Sequence, residues 1–121
     1  TYALLPHAGG LGEETFTQGI LLNQPALCIA GAVKEQVGRF IKKNSDAVKI
    51  DAVKQAEDGD GFVVHMHEIT GGRASVEITS DYPVRAYAAC NLLEEYDGKT
   101  EGNTIHADFG PFEIKCFRIW I

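Results

Sequence analysis

Acidic side chains in two short segments are the residues best suited to acid–base chemistry in this sequence. In chain order they are Glu57, Asp58, Asp60, Glu94 and Glu95. Two carboxylates that face each other across a substrate can act as general acid and as base or nucleophile in a hydrolysis. Both segments also contain the Asp and Gly residues that turns require for backbone reasons. We therefore predict that these acids belong to turns, and we assign no catalytic residue to the chain.

His65 and His67 have a spacing that could suit metal ligands. Side chains two residues apart on a β-strand point to the same face, so the two imidazoles could hold one metal ion together. Glu68 would point to the opposite face, and the sequence indicates no third ligand. We predict solvent-facing strand histidines and no metal site in this chain.

Aromatic side chains offer another kind of site, because an aromatic ring presents an apolar face and a polar edge to a sugar. The candidates for such a platform are Tyr82, Tyr87, Tyr96 and Trp120. We select Tyr87 and Tyr82 as the carbohydrate-binding candidates. The alternative for each is a packed tyrosine whose hydroxyl reaches solvent.

The elements that must position these residues are mostly strands. Apolar and polar residues alternate with period two in short segments separated by turn residues. These segments are 27–30, 39–42, 48–56, 62–68, 73–79, 84–92, 103–106 and 112–119, and a short apolar strand is predicted at 2–5. Strands at roughly 8–12-residue spacing are typical of a sandwich. The sequence predicts a mainly β protein, an antiparallel β-sandwich in a single domain over residues 1–121, with one short helix near the N-terminus between Glu13 and Pro25.

Glycines and a change of phase predict where the strands turn or bend. Gly71 and Gly72 tolerate positive φ angles, so we predict a β-hairpin turn there, with Asp97 and Gly98 as a second turn. The apolar residues of the last strand change phase after Cys116, which predicts a bulge or a change of sheet at that point.

Composition narrows the possible partners. The 121 residues carry a net charge of −6, which disfavours a nucleic-acid partner, and no window has the roughly 20 apolar residues of a membrane helix. Three cysteines are far apart in apolar contexts, as free thiols are, so we expect a cytoplasmic location. Since Thr1 is not an initiator Met, we also expect the chain to be a fragment of a longer one.

Four groups of residues, in order along almost the whole chain, resemble one known family. They are 2–9, 22–25, the block 53–68, and 91–95 with 111–119. In the third group an acid-rich turn precedes a strand that ends in Glu68, and a Thr-Gly pair follows. The chain resembles the C-terminal β-rich part of the family 38 glycoside hydrolases, the α-mannosidases. His65 stands where we expect this family to have Arg.

The resemblance implies a role within a larger protein. Such α-mannosidases are large, metal-dependent, retaining hydrolases with an N-terminal catalytic domain, a helical middle part and C-terminal β-sandwich domains. Their catalytic aspartate and metal ligands belong to motifs that this sequence lacks, so none is transferred to it. The resemblance therefore implies a non-catalytic C-terminal domain without a cofactor of its own. Its partners would be the preceding domains of its chain and, through the parent enzyme with its zinc or similar divalent metal, an α-mannoside substrate.

A second interpretation stays open. The chain could be a free-standing β-sandwich module that binds carbohydrate through exposed tyrosines.

Overall fold

The computed structural model of the chain describes residues 2–32 and 38–121, which form two compact units, one in each range. The first unit contains one helix, α1 (Glu13–Asn23), and this confirms the predicted short helix. The backbone N–H of Gln24 donates to the Ile20 carbonyl oxygen over 2.7 Å and ends the helix just before Pro25. Proline cannot continue a helix, because it lacks the amide hydrogen.

The strands predicted at 2–5 and 27–30 are wrong, since both segments are irregular in the structure. An apolar run becomes a strand only if a neighbouring strand accepts its backbone hydrogen bonds. The described residues of the first unit form no such ladder.

The second unit is a sandwich of two antiparallel sheets, which confirms the predicted fold class. Its strands are β1 (Lys42–Lys43), β2 (Val48–Gln55), β3 (Phe62–Glu68), β4 (Ala74–Thr79), β5 (Ala86–Cys90), β6 (Thr100–Glu101), β7 (Ile105–Phe109) and β8 (Ile114–Trp120). The larger sheet has the order β2-β3-β8-β5-β6, and the smaller sheet has the order β1-β4-β7. The predicted segments locate seven of these strands, but not the two-residue β6.

The main core lies between the two sheets. Val64, Met66, Phe117 and Ile119 project into it from the larger sheet, and Val76, Ile78, Ile105 and Phe109 project from the smaller one. All of these side chains are at least 95% buried. Alternate residues of each strand supply this layer, as the period-two pattern requires.

Strand β8 is buried on both of its faces. It pairs with β3 and with β5 in continuous register, so the bulge or sheet change predicted near Cys116 is wrong. The register irregularity of the larger sheet lies instead in β2, between Ile50 and Ala52. Cys116 and Phe117 are both buried although they point to opposite faces. The phase change in the sequence therefore reflects a central strand with two apolar sides.

The turn at Gly71 and Gly72 does not close a hairpin, which corrects that prediction. The preceding strand β3 belongs to the larger sheet and the following strand β4 belongs to the smaller one. The connection thus crosses from one layer to the other. Gly71 has a φ of +76°, so the turn does contain the left-handed backbone conformation that a glycine there predicts.

Helix α1 has 11 residues, fewer than a membrane span requires, and the described part of the chain contains no other helix.

Gly61 ends the turn between β2 and β3, and we predict that it tolerates no side chain. Its φ is +95°, and a Cβ would lie 2.6 Å from the backbone oxygen of Ile119. Gly98 is the matched control, because its φ is +74° but no atom lies within 4 Å of an added Cβ. Gly61→Ala should lower the free energy of unfolding by about 1–3 kcal/mol more than Gly98→Ala in urea denaturation. Equal losses for the two variants would contradict the prediction.

Candidate functional site

The acidic turn between β2 and β3 is fastened to the outer face of the larger sheet, the face directed away from the smaller sheet. Arg118 of β8 is 97% buried there. Its guanidinium donates to the Asp58 carboxylate and to the Asp60 carbonyl oxygen, with the Nε–oxygen distance at 3.0 Å. Trp120 Nε1 donates to Asp60 Oδ2 over 2.9 Å. Both aspartates thus satisfy buried donors of β8.

The two glutamates that border this turn share one lysine. Lys54 Nζ lies 2.5 Å from Glu57 Oε1 and 2.7 Å from Glu94 Oε1. The backbone N–H of Glu57 donates to Glu94 Oε2 over 2.9 Å. Glu94 is itself 92% buried and has a φ of +66°, a conformation that is rare outside glycine.

These contacts favour the ionised forms of Asp58 and Glu94. The hydrogen bond from Arg118 lowers the pKa of Asp58, and the hydrogen bond from Lys54 lowers the pKa of Glu94. A general acid at neutral pH needs the opposite, a raised pKa. Glu95 accepts a hydrogen bond from the Asn91 amide over 2.8 Å. As predicted, the acids lie in turns and connections, where their contacts hold the backbone in place.

Glu68 is a buried carboxylate whose role the sequence analysis missed. Its side chain is fully buried, on the inner face of β3. Oε1 accepts from the hydroxyl and from the N–H of Thr70, and Oε2 accepts from the N–H groups of Gly71 and Phe112 over 2.8 and 2.9 Å. Burial alone would raise the pKa of Glu68, but these four donors lower it to about 2. In the alternating pattern of β3, Glu68 falls on the same face as Phe62, Val64 and Met66, and this pattern could have predicted its burial.

The two strand histidines have different partners. His67 Nδ1 lies 2.5 Å from Asp51 Oδ2, and His65 Nδ1 lies 3.1 Å from Cys116 Sγ. Both rings are half-buried, so the prediction of solvent-facing histidines holds only in part. Within residues 2–32 and 38–121, no three His, Cys, Asp or Glu side chains converge in a way that fits a metal ion.

The two tyrosines predicted to bind carbohydrate lie in different surroundings. Tyr87 projects from the inner face of β5, packs against the main core and lines an open cleft of about 980 Å³. Tyr82 does not line this cleft, and its ring lies 6.0 Å from that of Phe40. The structure therefore does not bring Tyr82 and Tyr87 into one platform. Tyr96, from the connection after β5, also borders the cleft, but its ring packs against Trp120 on the outer face of the larger sheet.

The outer face of the larger sheet carries an apolar depression of about 410 Å³. It is lined by Cys90, Asn91, Leu92, Leu93, Ile114 and Cys116. Leu92, Leu93 and Ile114 are 67%, 79% and 61% exposed. Large apolar side chains grouped at one exposed position are typical of an interaction surface.

Comparison with known proteins identifies the family. Residues 47–117 match the model of the glycosyl hydrolases family 38 C-terminal beta sandwich domain, and this range includes β2 to β7 and the first half of β8. The chain belongs to this family. The family resemblance seen in the sequence is thereby confirmed.

A curated relative extends the similarity beyond the matched domain. Alpha-mannosidase G of Dictyostelium discoideum is 32% identical over 130 residues, which cover 98% of this chain. The chain spans only 12% of the length of that relative. No solved structure matches the chain significantly.

Glu68 should make the stability of this family-38 domain depend on pH in acid. Its pKa is about 2 in the folded state against an ordinary value of 4.5. A depressed pKa stabilises the fold above the ordinary value, and this stabilisation is lost as the pH falls towards 2. Glu68→Gln should therefore lower stability at pH 7 and flatten the decline of the unfolding free energy between about pH 5 and pH 2, as measured by urea denaturation.

Thr70→Val provides the control, because it removes the hydroxyl donor and keeps the carboxylate with its three backbone donors. Its slope should lie between those of the wild type and Glu68→Gln. A slope for Glu68→Gln equal to that of the wild type would contradict the role of Glu68.

Proposed function

We propose that this chain is the non-catalytic C-terminal domain of an α-mannosidase, a hydrolase of α-D-mannosides, and that it packs against and supports the catalytic part of its own chain. One observation carries the proposal. The sequence aligns over nearly its whole length with alpha-mannosidase G, yet it corresponds to only 12% of that protein. The rest of such an enzyme supplies the domains to which this one would attach.

The contacts of the acidic side chains support a non-catalytic role. A glycosidase holds two carboxylates on either side of a glycosidic bond, one of them protonated. Here Glu57 and Glu94 do come close together, but the Lys54 ammonium lies between them and lowers the pKa of Glu94. Asp58 is held in the same state by Arg118. Each acid thus has a structural partner where a glycosidase would need a substrate.

The apolar depression on the outer face is the surface that we propose to contact the preceding domains of the parent enzyme. Burial of one leucine side chain contributes about 1.5–3 kcal/mol, so Leu92 and Leu93 can stabilise an interdomain contact substantially. The Asn91 side-chain oxygen accepts the N–H groups of Leu93 and Glu95 over 2.9 and 3.0 Å. The loop that presents the leucines is therefore held in place before any partner arrives.

The remaining parts of the proposal concern the parent enzyme. Its divalent metal, zinc or a similar ion, would be bound outside the residues described here, and its substrate would be an α-mannoside. We propose a cytoplasmic location. In support, Cys90 and Cys116 face each other across β5 and β8 as free thiols, and burial raises the pKa of Cys90 to about 11.

A free-standing carbohydrate-binding module is the second candidate, and the cleft beside Tyr87 is the observation that favours it. The two candidates predict different coding sequences before Thr1. An open reading frame that continues for several hundred codons before Thr1 supports the enzyme domain, and a start codon just before Thr1 supports the module.

If the catalytic site lies in another domain of the parent enzyme, only the full-length enzyme should be active. The purified 121-residue chain should not hydrolyse an aryl α-mannoside, because its candidate acids are held by ion pairs or hydrogen bonds within the fold, whereas the full-length parent enzyme should. Turnover by the isolated chain that persists through purification would refute the non-catalytic role.

The proposed docking surface predicts an effect that depends on context. Leu92→Ser combined with Leu93→Ser should leave the unfolding free energy of the isolated chain within about 0.5 kcal/mol, because both side chains are exposed there. In the full-length enzyme the same pair should weaken the interdomain contact by about 3 kcal/mol or more, which calorimetry would detect as a lower Tm. Equal effects in both proteins would exclude this surface as the contact.

A further inference from the structure

The cleft beside Tyr87 exists because the two sheets differ in width. The larger sheet has five strands and the smaller one has three, with β7 as an edge strand. The inner face of β5 extends past this edge, so Ala89 is exposed and Tyr87 is half-buried. Phe117 forms part of the floor of the cleft, and Ile105 and His106 of β7 line it from the smaller sheet.

The lining of the cleft favours one class of ligand. Tyr87 provides the aromatic ring, and the planar polar side chains are those of Asn91, Glu95 and Asp97. An aromatic face suits the apolar C–H surface of a pyranose, and amide and carboxylate groups suit its hydroxyls. The lining has two carboxylates and neither lysine nor arginine, which disfavours phosphates and other anions.

The walls of the cleft are held before a ligand binds. The Asn91 amide donates to Glu95 over 2.8 Å, and a β-bridge joins Cys90 to Tyr96. The Tyr96 ring packs edge-on against Trp120 on the outer face of the larger sheet, with the ring centroids 5.2 Å apart, and this contact anchors the backbone of residues 95–97. Preorganised groups lose less conformational entropy on binding, and this favours affinity.

From this geometry we infer that the cleft binds a neutral oligosaccharide, with Tyr87 stacking on one sugar ring and Glu95 and Asp97 contacting its hydroxyls. At about 980 Å³ the cleft is at the upper end of the size range of small-molecule sites, and it is open to solvent. It therefore suits a chain of sugars better than a single enclosed ring. The choice of an α-linked mannoside as this oligosaccharide rests on the proposed function, whereas the saccharide class rests on the lining alone.

The experiment is a titration of the 121-residue chain with α-mannobiose, followed by ¹H–¹⁵N NMR, with maltose and inorganic phosphate as comparison ligands. We expect saturable shifts in the cleft residues with α-mannobiose at millimolar concentration and none with phosphate. Tyr87→Ala should weaken binding about tenfold or more, because the stacking surface is lost. Tyr82→Ala is the matched control, since this tyrosine lies outside the cleft, and it should bind as the wild type does.

A second variant separates binding from folding, because Tyr87 also packs against the core. Asp97 is exposed, so Asp97→Ala should keep the fold and its Tm while weakening binding. The inference is overturned by an absence of saturable shifts with either sugar, or by equal affinities in the wild type, Tyr87→Ala and Asp97→Ala.

The two sugars also test the link to the proposed function. Equal binding of maltose and α-mannobiose would overturn the choice of a mannoside and retain a general saccharide site. If the full-length protein fails to hydrolyse an aryl α-mannoside while the chain still binds α-mannobiose, the proposed function fails and the cleft assignment stands.

Discussion

The burial of β8 on both faces is the constraint on which the rest of the sandwich depends. From Cys116 to Trp120 every residue of this strand is buried. Phe117 and Ile119 fill the core between the sheets, but Arg118 places a cation on the other face. A buried guanidinium is tolerated only if its donors find acceptors, and the acidic turn provides them. The turn therefore carries carboxylates because the buried Arg118 of the central strand needs hydrogen-bond acceptors.

A second buried charge serves the opposite end of the same strand pair. β3 and β8 are antiparallel, with Val63 opposite Arg118 and His67 opposite Ile114. Glu68 follows His67 and binds backbone N–H groups from two connections, one leading to β4 and one leading to β8. Because Phe112 has a φ of +54°, the second connection adopts a conformation that needs such an anchor. The two buried charges thus fix both ends of the β3–β8 pair. Arg118 holds the acidic turn at one end, and Glu68 holds the connection between the sheets at the other.

The sequence predicted local periodicity well and non-local pairing poorly. The bounds of β3 and the existence of α1 follow from local patterns, and both were predicted. The same pair of glycines can serve a hairpin or a crossing between sheets, so residues 71 and 72 could not reveal which one forms. An apolar run such as 27–30 cannot show whether a partner strand exists. Tyr87 was selected for its aromatic ring alone, since the cleft in which we propose a role for it arises from the unequal widths of the two sheets.

The loop after β5 connects the two surfaces to which we assign functions. Leu92 and Leu93 border the apolar depression on the outer face, while Glu95 and Tyr96 line the cleft. Asn91 lies at both surfaces, and its side chain is bonded to Leu93 and Glu95. A partner domain packed on the leucines would restrict this loop and with it one wall of the cleft. The loop would then lose less conformational entropy when a sugar binds, because the interdomain contact has already ordered it. Interdomain packing and sugar binding would therefore favour each other without any change of fold.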